Sequence, residues 1–250
     1  MQPFSILLGL GALAGLLLAG WRAPKKEASR YLDASLGILL GALVGSRAVT
    51  VAVNYSYYQA HPGEIVQVWL GGLSGIGALA GGLLAIAILA FGGKFPAGKL
   101  GDALLPLAGT LTVTAWLGCW VDRCGYGMPT GAWWALPARD EWGVLATRVP
   151  VQLMGATLTL LLIWVLDRMS KHFPVSGLNA AVGLLGLSAE IFALSFLRAD
   201  PAPIWYGLRL EAWGAIGLMI LSALSVVVLL SGWKFKKQHS LRGKDPIAGR

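Results

Sequence analysis

The feature that most constrains this chain is a series of seven long apolar runs, separated by charged or Pro/Gly-rich segments. A membrane-spanning helix needs about 20 mostly apolar residues, and the runs are of this order. The runs are Phe4–Trp21, Tyr31–Val53, Ile65–Gly93, Ala103–Val121, Val149–Leu166, Pro174–Leu197 and Ala212–Gly232. The sequence therefore predicts an all-α, polytopic membrane protein with about seven transmembrane helices.

The composition of the 250-residue chain agrees with this class. Hydrophobic residues make up 56% of the chain and charged residues 13%, about half the charged share of a soluble domain. This apolar content also excludes a disordered chain. With two cysteines and three separated histidines, we expect no disulfide framework and no metal site. We expect no cofactor either.

The distribution of positive charge predicts the orientation of the spans. Most of the 20 Lys and Arg residues lie in the loops after the first, third and fifth runs and in the C-terminal tail. Because cytoplasmic loops carry the excess of Lys and Arg, the N-terminus is predicted outside and the C-terminus in the cytoplasm. We assign the net charge of +8 mainly to contact with anionic lipid, and we predict no nucleic-acid partner.

We expect one transmembrane domain over residues 1–233, followed by a polybasic cytoplasmic tail over residues 234–250. The long loop Asp122–Arg148 is predicted to cap the outer face of this domain. Aromatic residues in such a loop are typical of a belt at the level of the lipid headgroups. Those of this loop are Tyr126, Trp133, Trp134 and Trp142.

Arg47 and Glu190 lie inside predicted spans, where a charge is expensive and needs a partner or a function. Arg47 is about six residues from the outer end of its span. Its side chain could extend outward to water or bind an anionic lipid headgroup. Glu190 is about seven residues from the outer end of the sixth span. We predict that Glu190 pairs with Arg47, and a protonated carboxyl group is the alternative.

The third run carries glycines at four-residue spacing, Gly71 to Gly75 and Gly77 to Gly81. This spacing predicts close approach of two helix backbones. The alternative is a broken helix whose free backbone amides face an anion or a cavity. The sequence leaves both interpretations open.

Cys119 and Cys124 lie five residues apart at the end of the fourth run. In a continuous helix their side chains would point in different directions, so a disulfide requires a turn between them. The outer compartment is oxidising and permits this bond. Two inert thiols and a reactive or metal-binding pair are the alternatives.

Four segments occur in an order that matches a known family. They are GSRAVTVAVNYSYYQAHPGEIVQVWLGGLSG (Gly45–Gly75), GCWVDRCGYGMPTG (Gly118–Gly131), RVPVQL (Arg148–Leu153) and SFLRADPAP (Ser195–Pro203). Together they resemble the prolipoprotein diacylglyceryl transferase family, over about Gly41 to Ala212. The resemblance implies a seven-span fold in the bacterial plasma membrane. It also implies transfer of diacylglycerol from phosphatidylglycerol to the lipobox cysteine of a lipoprotein precursor, with release of glycerol phosphate.

The sequence departs from the family pattern at the positions of its functional side chains. The positions of the family's histidine, arginines, asparagine and glutamates correspond to Ile76, Trp116, Cys119, Cys124, Met128, Ile191 and Ser195. Among them, Cys119 stands at the asparagine position and Cys124 at the glutamate position of the fourth-span motif. The resemblance therefore supports the fold more strongly than the reaction.

Three arginines near the predicted outer face, Arg47, Arg148 and Arg198, are the candidate ligands of a lipid headgroup, because guanidinium binds phosphate bidentately. His61, in an outer loop, is the weak candidate for thiol activation as a neutral general base. Further family-motif or cavity residues are Gly71, Gly72, Ser74, Tyr126, Gln152, Glu190 and Asp200.

Two functions follow from these observations. The first is a transferase-like membrane protein that binds phosphatidylglycerol-type phospholipid at the outer leaflet, with diacylglyceryl transfer dependent on a changed set of catalytic residues. The second is a non-catalytic family member that serves as a lipid-binding or structural subunit of a membrane protein complex. The expected partners are phospholipid and either a lipoprotein precursor or other membrane subunits. A transporter is disfavoured because the spans carry few polar groups and no evident inverted repeat.

Overall fold

The computed structural model describes residues 3–23, 25–93, 95–173 and 175–242. Within these residues the chain forms eight α-helices and two short antiparallel β-hairpins. The helices are α1 (Pro3–Arg22), α2 (Ala28–Val53), α3 (Tyr55–Ala60), α4 (Gly75–Phe91), α5 (Ala97–Asp122), α6 (Val151–Met169), α7 (Leu178–Ser195) and α8 (Leu210–Arg242). The strands are β1 (Leu136–Arg139), β2 (Leu145–Arg148), β3 (Ile204–Trp205) and β4 (Leu208–Arg209).

Six of the described helices, α1, α2, α5, α6, α7 and α8, are long and apolar enough to cross a membrane. The apolar helix α4 is shorter, at 17 residues. Large aliphatic side chains on the outside of these helices are exposed, among them Leu13, Leu17 and Val228. Lipid chains are as apolar as these side chains, so this surface suits a bilayer. The prediction of a helical, multi-pass membrane protein is confirmed.

The third predicted span is wrong at its start, because Ile65–Gly93 is not one helix. Residues 62–66 and 68–70 form 3₁₀ turns, and α4 begins only at Gly75. Between them Gly71 and Gly72 have φ values of 90° and 68°, a backbone conformation that strongly favours glycine. Ser74 then caps α4, since its hydroxyl oxygen accepts a hydrogen bond from the backbone N–H of Gly77 at 3.1 Å.

The second pair of glycines in that run packs two helices together. A Cβ atom on Gly77 would lie 2.6 Å from the carbonyl oxygen of Gly45, and one on Gly81 would lie 2.3 Å from that of Gly41. Helices α2 and α4 are therefore in backbone contact. Close packing is correct for Gly77 and Gly81, whereas Gly71 and Gly72 belong to a break before the helix.

Two further boundaries differ from the predictions. Helix α5 begins at Ala97, earlier than the predicted Ala103. Helix α8 continues to Arg242, so the first part of the predicted tail is helical. Residues 243–250 of that tail, and Pro174 at the predicted start of the sixth span, lie outside the described residues.

Hydrogen bonds between helix ends define one end of the bundle, which we name the cap face. The backbone N–H of Phe4 in the first turn of α1 donates to a carboxylate oxygen of Asp122, the last residue of α5, at 2.9 Å. The hydroxyl of Ser5 donates to the carbonyl of Trp69 at 3.2 Å. The cap face therefore combines the start of α1, the end of α5 and the loop before α4.

The opposite end of the bundle carries the loops rich in Lys and Arg, and we name it the basic face. Arg22 at the end of α1 forms a 2.7 Å ion pair with Asp167 near the end of α6. Asp102 in α5 accepts hydrogen bonds from the backbone N–H groups of Gly177 and Ala180 at 2.6 and 2.8 Å. A carboxylate here satisfies free N–H groups at the start of α7.

Candidate functional site

A small β-structure, residues 123–150 together with residues 196–209, covers the cap face. β1 and β2 form a hairpin in which Leu136 pairs with Arg148. The backbone of Tyr126 to Met128 joins this hairpin to the loop after α7, with Met128 N–H donating to the carbonyl of Leu197 at 2.9 Å. The backbone carbonyl of Tyr126 accepts a 2.8 Å hydrogen bond from the N–H of Ala199 in the same loop. The β-structure therefore ties α5, α6 and α7 together.

Cys119 and Cys124 form a disulfide at the base of this β-structure. Helix α5 ends at Asp122, and Arg123 adopts a left-handed conformation with φ of 62°. The chain thus turns between the two cysteines, and their Cα atoms lie 4.5 Å apart. Of the alternatives left open by the sequence, the structure contains the disulfide. The two positions that the resemblance matches to the family's asparagine and glutamate are therefore joined by a covalent bond and offer neither amide nor carboxylate.

Arg47 is surrounded by backbone carbonyl groups. Its guanidinium donates to the carbonyls of Ile65 and Gly71 at 2.8 Å, to that of Gly72 at 3.0 Å, and to that of Glu64. The guanidinium also lies over the ring of Tyr58, at 5.0 Å from its centroid. The residue is 7% exposed, so these partners replace water around the charge.

The predicted partner of Arg47 is therefore wrong. It does not pair with Glu190, because its described partners are the carbonyl oxygens of residues 64–72. The broken helix that the sequence left open for the third run is present at Gly71 and Gly72, and the groups of this break that bind Arg47 are carbonyl oxygens. Its role visible in the structure is to hold the loop that precedes α4.

Arg148 forms an ion pair with Asp140 at 2.9 Å, and both side chains are buried. It also donates to the carbonyl of Gly127 at 3.4 Å and lies over the ring of Tyr126, at 4.9 Å from the centroid. Burial, followed by the charge of nearby Glu141, raises the pKa of Tyr126 above its ordinary value. Arg148 thus joins the hairpin to the base of the β-structure.

Arg198 belongs to a network of four charges. It binds Asp200 through two hydrogen bonds of 2.8 and 2.5 Å and Glu211 through one of 3.0 Å. Arg209 contacts the same two carboxylates, at 3.1 Å to Asp200 and 2.8 Å to Glu211. Burial alone would lower the pKa of Arg198, but the contacts with Asp200 and Glu211 raise it. The network carries no net charge, and within it Asp200 is a partner of both arginines.

Glu190 is buried between α5, α6 and α7. It accepts a 2.9 Å hydrogen bond from the indole N–H of Trp116, and the hydroxyl of Thr159 lies 2.9 Å from both carboxylate oxygens. The Trp116 ring occupies the space above Gly155, where a Cβ would lie 2.4 Å from it. The tryptophan at an arginine position of the family thus fills the interior and binds the glutamate.

Ile76, at the histidine position of the family motif, packs against α8. A Cβ on Gly214 would lie 2.5 Å from its Cγ2 atom. This position therefore contributes an aliphatic contact between α4 and α8.

His61 lies in the exposed loop after α3. Its ring stacks on Tyr57 with centroids 4.6 Å apart, and its Nδ1 atom is 3.1 Å from the Tyr57 carbonyl. The Tyr57 hydroxyl donates to Glu64 at 2.9 Å, and this hydrogen bond raises the pKa of Tyr57. These contacts hold His61 on the loop surface, and its role as a general base stays a prediction.

Sequence reasoning missed a pocket of about 190 Å³ on the cap face. Its walls are the last turns of α5, the β1 strand and the buried side chain of Gln152, whose amide donates to the Cys124 carbonyl at 2.9 Å. The lining residues are Trp120, Val121, Arg123, Pro137, Ala138, Arg139 and Gln152. Positive charge in the loop was the available signal, but Arg123 and Arg139 lie far apart in sequence and only the hairpin brings them together.

Comparison with known proteins gives a match over nearly the whole chain. Residues 1–240 match the family described as prolipoprotein diacylglyceryl transferase. A phosphatidylglycerol–prolipoprotein diacylglyceryl transferase of Synechococcus elongatus is 26% identical over 211 residues, which cover 79% of this chain and 73% of the relative. One from Streptomyces griseus subsp. griseus is 29% identical over 235 residues, which cover 90% and 71%. A third, numbered 2 in Streptomyces coelicolor, is 29% identical over 240 residues, which cover 90% and 74%. The chain therefore belongs to the prolipoprotein diacylglyceryl transferase family.

Proposed function

We propose that this protein binds phosphatidylglycerol-type phospholipid at the outer leaflet of the bacterial plasma membrane, and that it does not carry out diacylglyceryl transfer through the family's own residues. The observation that carries this proposal is the Cys119–Cys124 disulfide. It turns two functional positions of the family motif into a structural link. The membrane fold around those positions is retained.

The chemistry of transfer explains why these positions matter. A thiol must be activated, and a positive group must stabilise the phosphate that leaves. Arg148 and Arg198 are neutralised by carboxylates, and Arg47 is occupied by carbonyls. Binding an additional phosphate at any of them would require breaking hydrogen bonds that are buried or partly buried, which is costly.

Lipid binding is supported by the relatives and by the cap face. The relatives are named for phosphatidylglycerol. Exposed aromatic and aliphatic side chains of the β-structure suit the headgroup region of a bilayer. They include Trp133, Trp134, Trp142, Val144 and Leu145. A disulfide at this face agrees with the oxidising outer compartment and with the predicted orientation.

Diacylglyceryl transfer itself is the second candidate function, and the names of the relatives favour it. It would need a thiol-activating group from outside the family motif, and His61 is the candidate in this chain. The two candidates differ in whether a lipobox-cysteine peptide acquires a diacylglyceryl group.

Native mass spectrometry of the detergent-solubilised protein tests the proposed lipid binding. We expect phosphatidylglycerol to remain bound at detergent concentrations that remove phosphatidylcholine of the same chain length. Equal loss of both lipids would contradict the proposal, because it would leave only the non-specific lipid contact of any membrane protein.

A further inference from the structure

The arginines described on the cap face fall into two groups. Carboxylates or several carbonyl groups hold Arg47, Arg148, Arg198 and Arg209. Arg123 and Arg139 are exposed, and no ion pair among the described residues involves either of them. The second group is therefore the one whose positive charge is available to a ligand.

The two available arginines converge on the hairpin turn at Gly143. Arg139 donates to the Gly143 carbonyl at 2.8 Å, and Nη1 of Arg123 lies 4.0 Å from the place of a Cβ on Gly143. Two like charges that meet in this way repel each other, and an anion between them removes the repulsion. The nearby Asp140 does not serve this purpose, since it pairs with Arg148 and accepts the backbone N–H groups of residues 142 and 144.

The disulfide turn sets the position of Arg123. The residue has φ of 62°, and its neighbour Cys124 is bonded to Cys119. The left-handed conformation favours glycine or asparagine, so an arginine is held here at an energetic cost. The side chain lines the same pocket as Arg139.

The pocket has a volume suited to a lipid headgroup, and it lies at the end of a membrane span. Its volume of about 190 Å³ corresponds to about six water molecules, which is less than a drug-sized ligand needs. Trp120 and Val121, in the last turn of the spanning helix α5, form one wall. The end of a span marks the boundary between lipid chains and headgroups, where phosphates are concentrated.

We propose that Arg123 and Arg139 form a phosphate-binding pocket for the headgroup of an outer-leaflet anionic phospholipid. The two guanidinium groups bind the phosphate oxygens, and Trp120 and Val121 contact the glycerol and the first chain carbons. This inference rests on the proposed lipid binding and gives it a site. The site is separate from Arg47, Arg148 and Arg198.

The test compares phosphatidylglycerol retention by the wild type and by R123Q/R139Q, in native mass spectrometry with phosphatidylcholine as the reference lipid. We expect about hundredfold weaker retention of phosphatidylglycerol, since the variant loses two charge-assisted contacts and each is worth about tenfold. R123K/R139K should lie between the two, because lysine keeps the charge without bidentate geometry. K25Q/K26Q removes the same charge from the basic face, where lysine attracts anionic lipid by surface charge alone, so it should weaken phosphatidylglycerol retention less than R123Q/R139Q does.

The outcomes separate the site from the function. Unchanged phosphatidylglycerol retention by a folded R123Q/R139Q protein overturns the pocket and leaves the proposed lipid binding intact. Loss of lipid preference in the wild type overturns both. Inorganic phosphate added as a competitor distinguishes the ligand source. If millimolar phosphate alone displaces nothing, the lipid assignment stands, and if it binds with the same arginine dependence while lipid does not, the pocket belongs to a soluble anion.

Discussion

At the scale of single residues, buried and partly buried charge in this protein is compensated in two ways. Arg47 is surrounded by carbonyl oxygens, whereas Arg198 and Arg209 share two carboxylates. Both arrangements give the guanidinium partners in place of most of its water. Glu190 differs, since its described partners are an indole N–H and a hydroxyl.

Replacing Arg47 with alanine should destabilise the protein by about 3 kcal/mol, because four carbonyl groups around this buried guanidinium lose their charged donor at once. Reversible unfolding in mixed detergent micelles measures the free energy of unfolding. R123A is the matched control and should change it by less than about 0.5 kcal/mol, because Arg123 is exposed. An R47A protein of wild-type stability that loses phosphatidylglycerol would show that Arg47 is a lipid ligand instead.

At the scale of elements, apolar length predicted the spans well, and local contacts explain where it failed. The segment Ile65–Leu70 is mostly apolar, but the backbone at Gly71 and Gly72 prevents a continuous helix, and Arg47 holds the preceding turns in place. The hydropathy of a segment does not reveal a contact with a distant side chain such as Arg47. In the same way, the sequence identified Arg148 and Arg198 but not Asp140 and Glu211, which neutralise them through the folded β-structure.

The contact between α2 and α4 predicts opposite results at neighbouring glycines. Gly81→Ala should cost about 1–3 kcal/mol, because its Cβ would overlap a backbone carbonyl that cannot move alone. Gly82→Ala should be neutral or slightly stabilising, since its Cβ would lie 3.7 Å from the nearest atom and alanine favours the helix. The same unfolding measurement compares the two variants. Equal losses would show that α2 and α4 do not pack through these glycines.

The disulfide should stabilise the cap face and its pocket. In C119S/C124S we expect a loss of about 2 kcal/mol from the closure of a short loop, together with weaker phosphatidylglycerol retention because the turn at Arg123 is released. Dithiothreitol should lower the stability of the wild type and leave the variant unchanged. A wild-type protein that is insensitive to the reductant, with both cysteines open to alkylation, would contradict the presence of the bond.

At the scale of the whole molecule, the protein keeps the family's membrane fold and carries different side chains inside it. The positions that the resemblance matches to the family's histidine, arginine, asparagine and glutamate hold Ile76, Trp116, Cys119 and Cys124. Ile76 packs against α8, Trp116 binds a buried glutamate, and the two cysteines bond to each other. The resemblance identified these substitutions, but only the structure shows that the new side chains fill the space. Likewise, Arg123 and Arg139 become a pair only through the hairpin.

The measurement that tests this account most directly is an assay for transfer. The purified protein is incubated in lipid with phosphatidylglycerol and a lipobox-cysteine peptide, beside the Streptomyces coelicolor relative, and the peptide mass is measured. The account predicts no diacylglyceryl adduct from this protein, while phosphatidylglycerol remains bound to it. An adduct formed at a rate similar to that of the relative, and lost on His61→Ala, would contradict it and would assign the catalysis to residues outside the family motif.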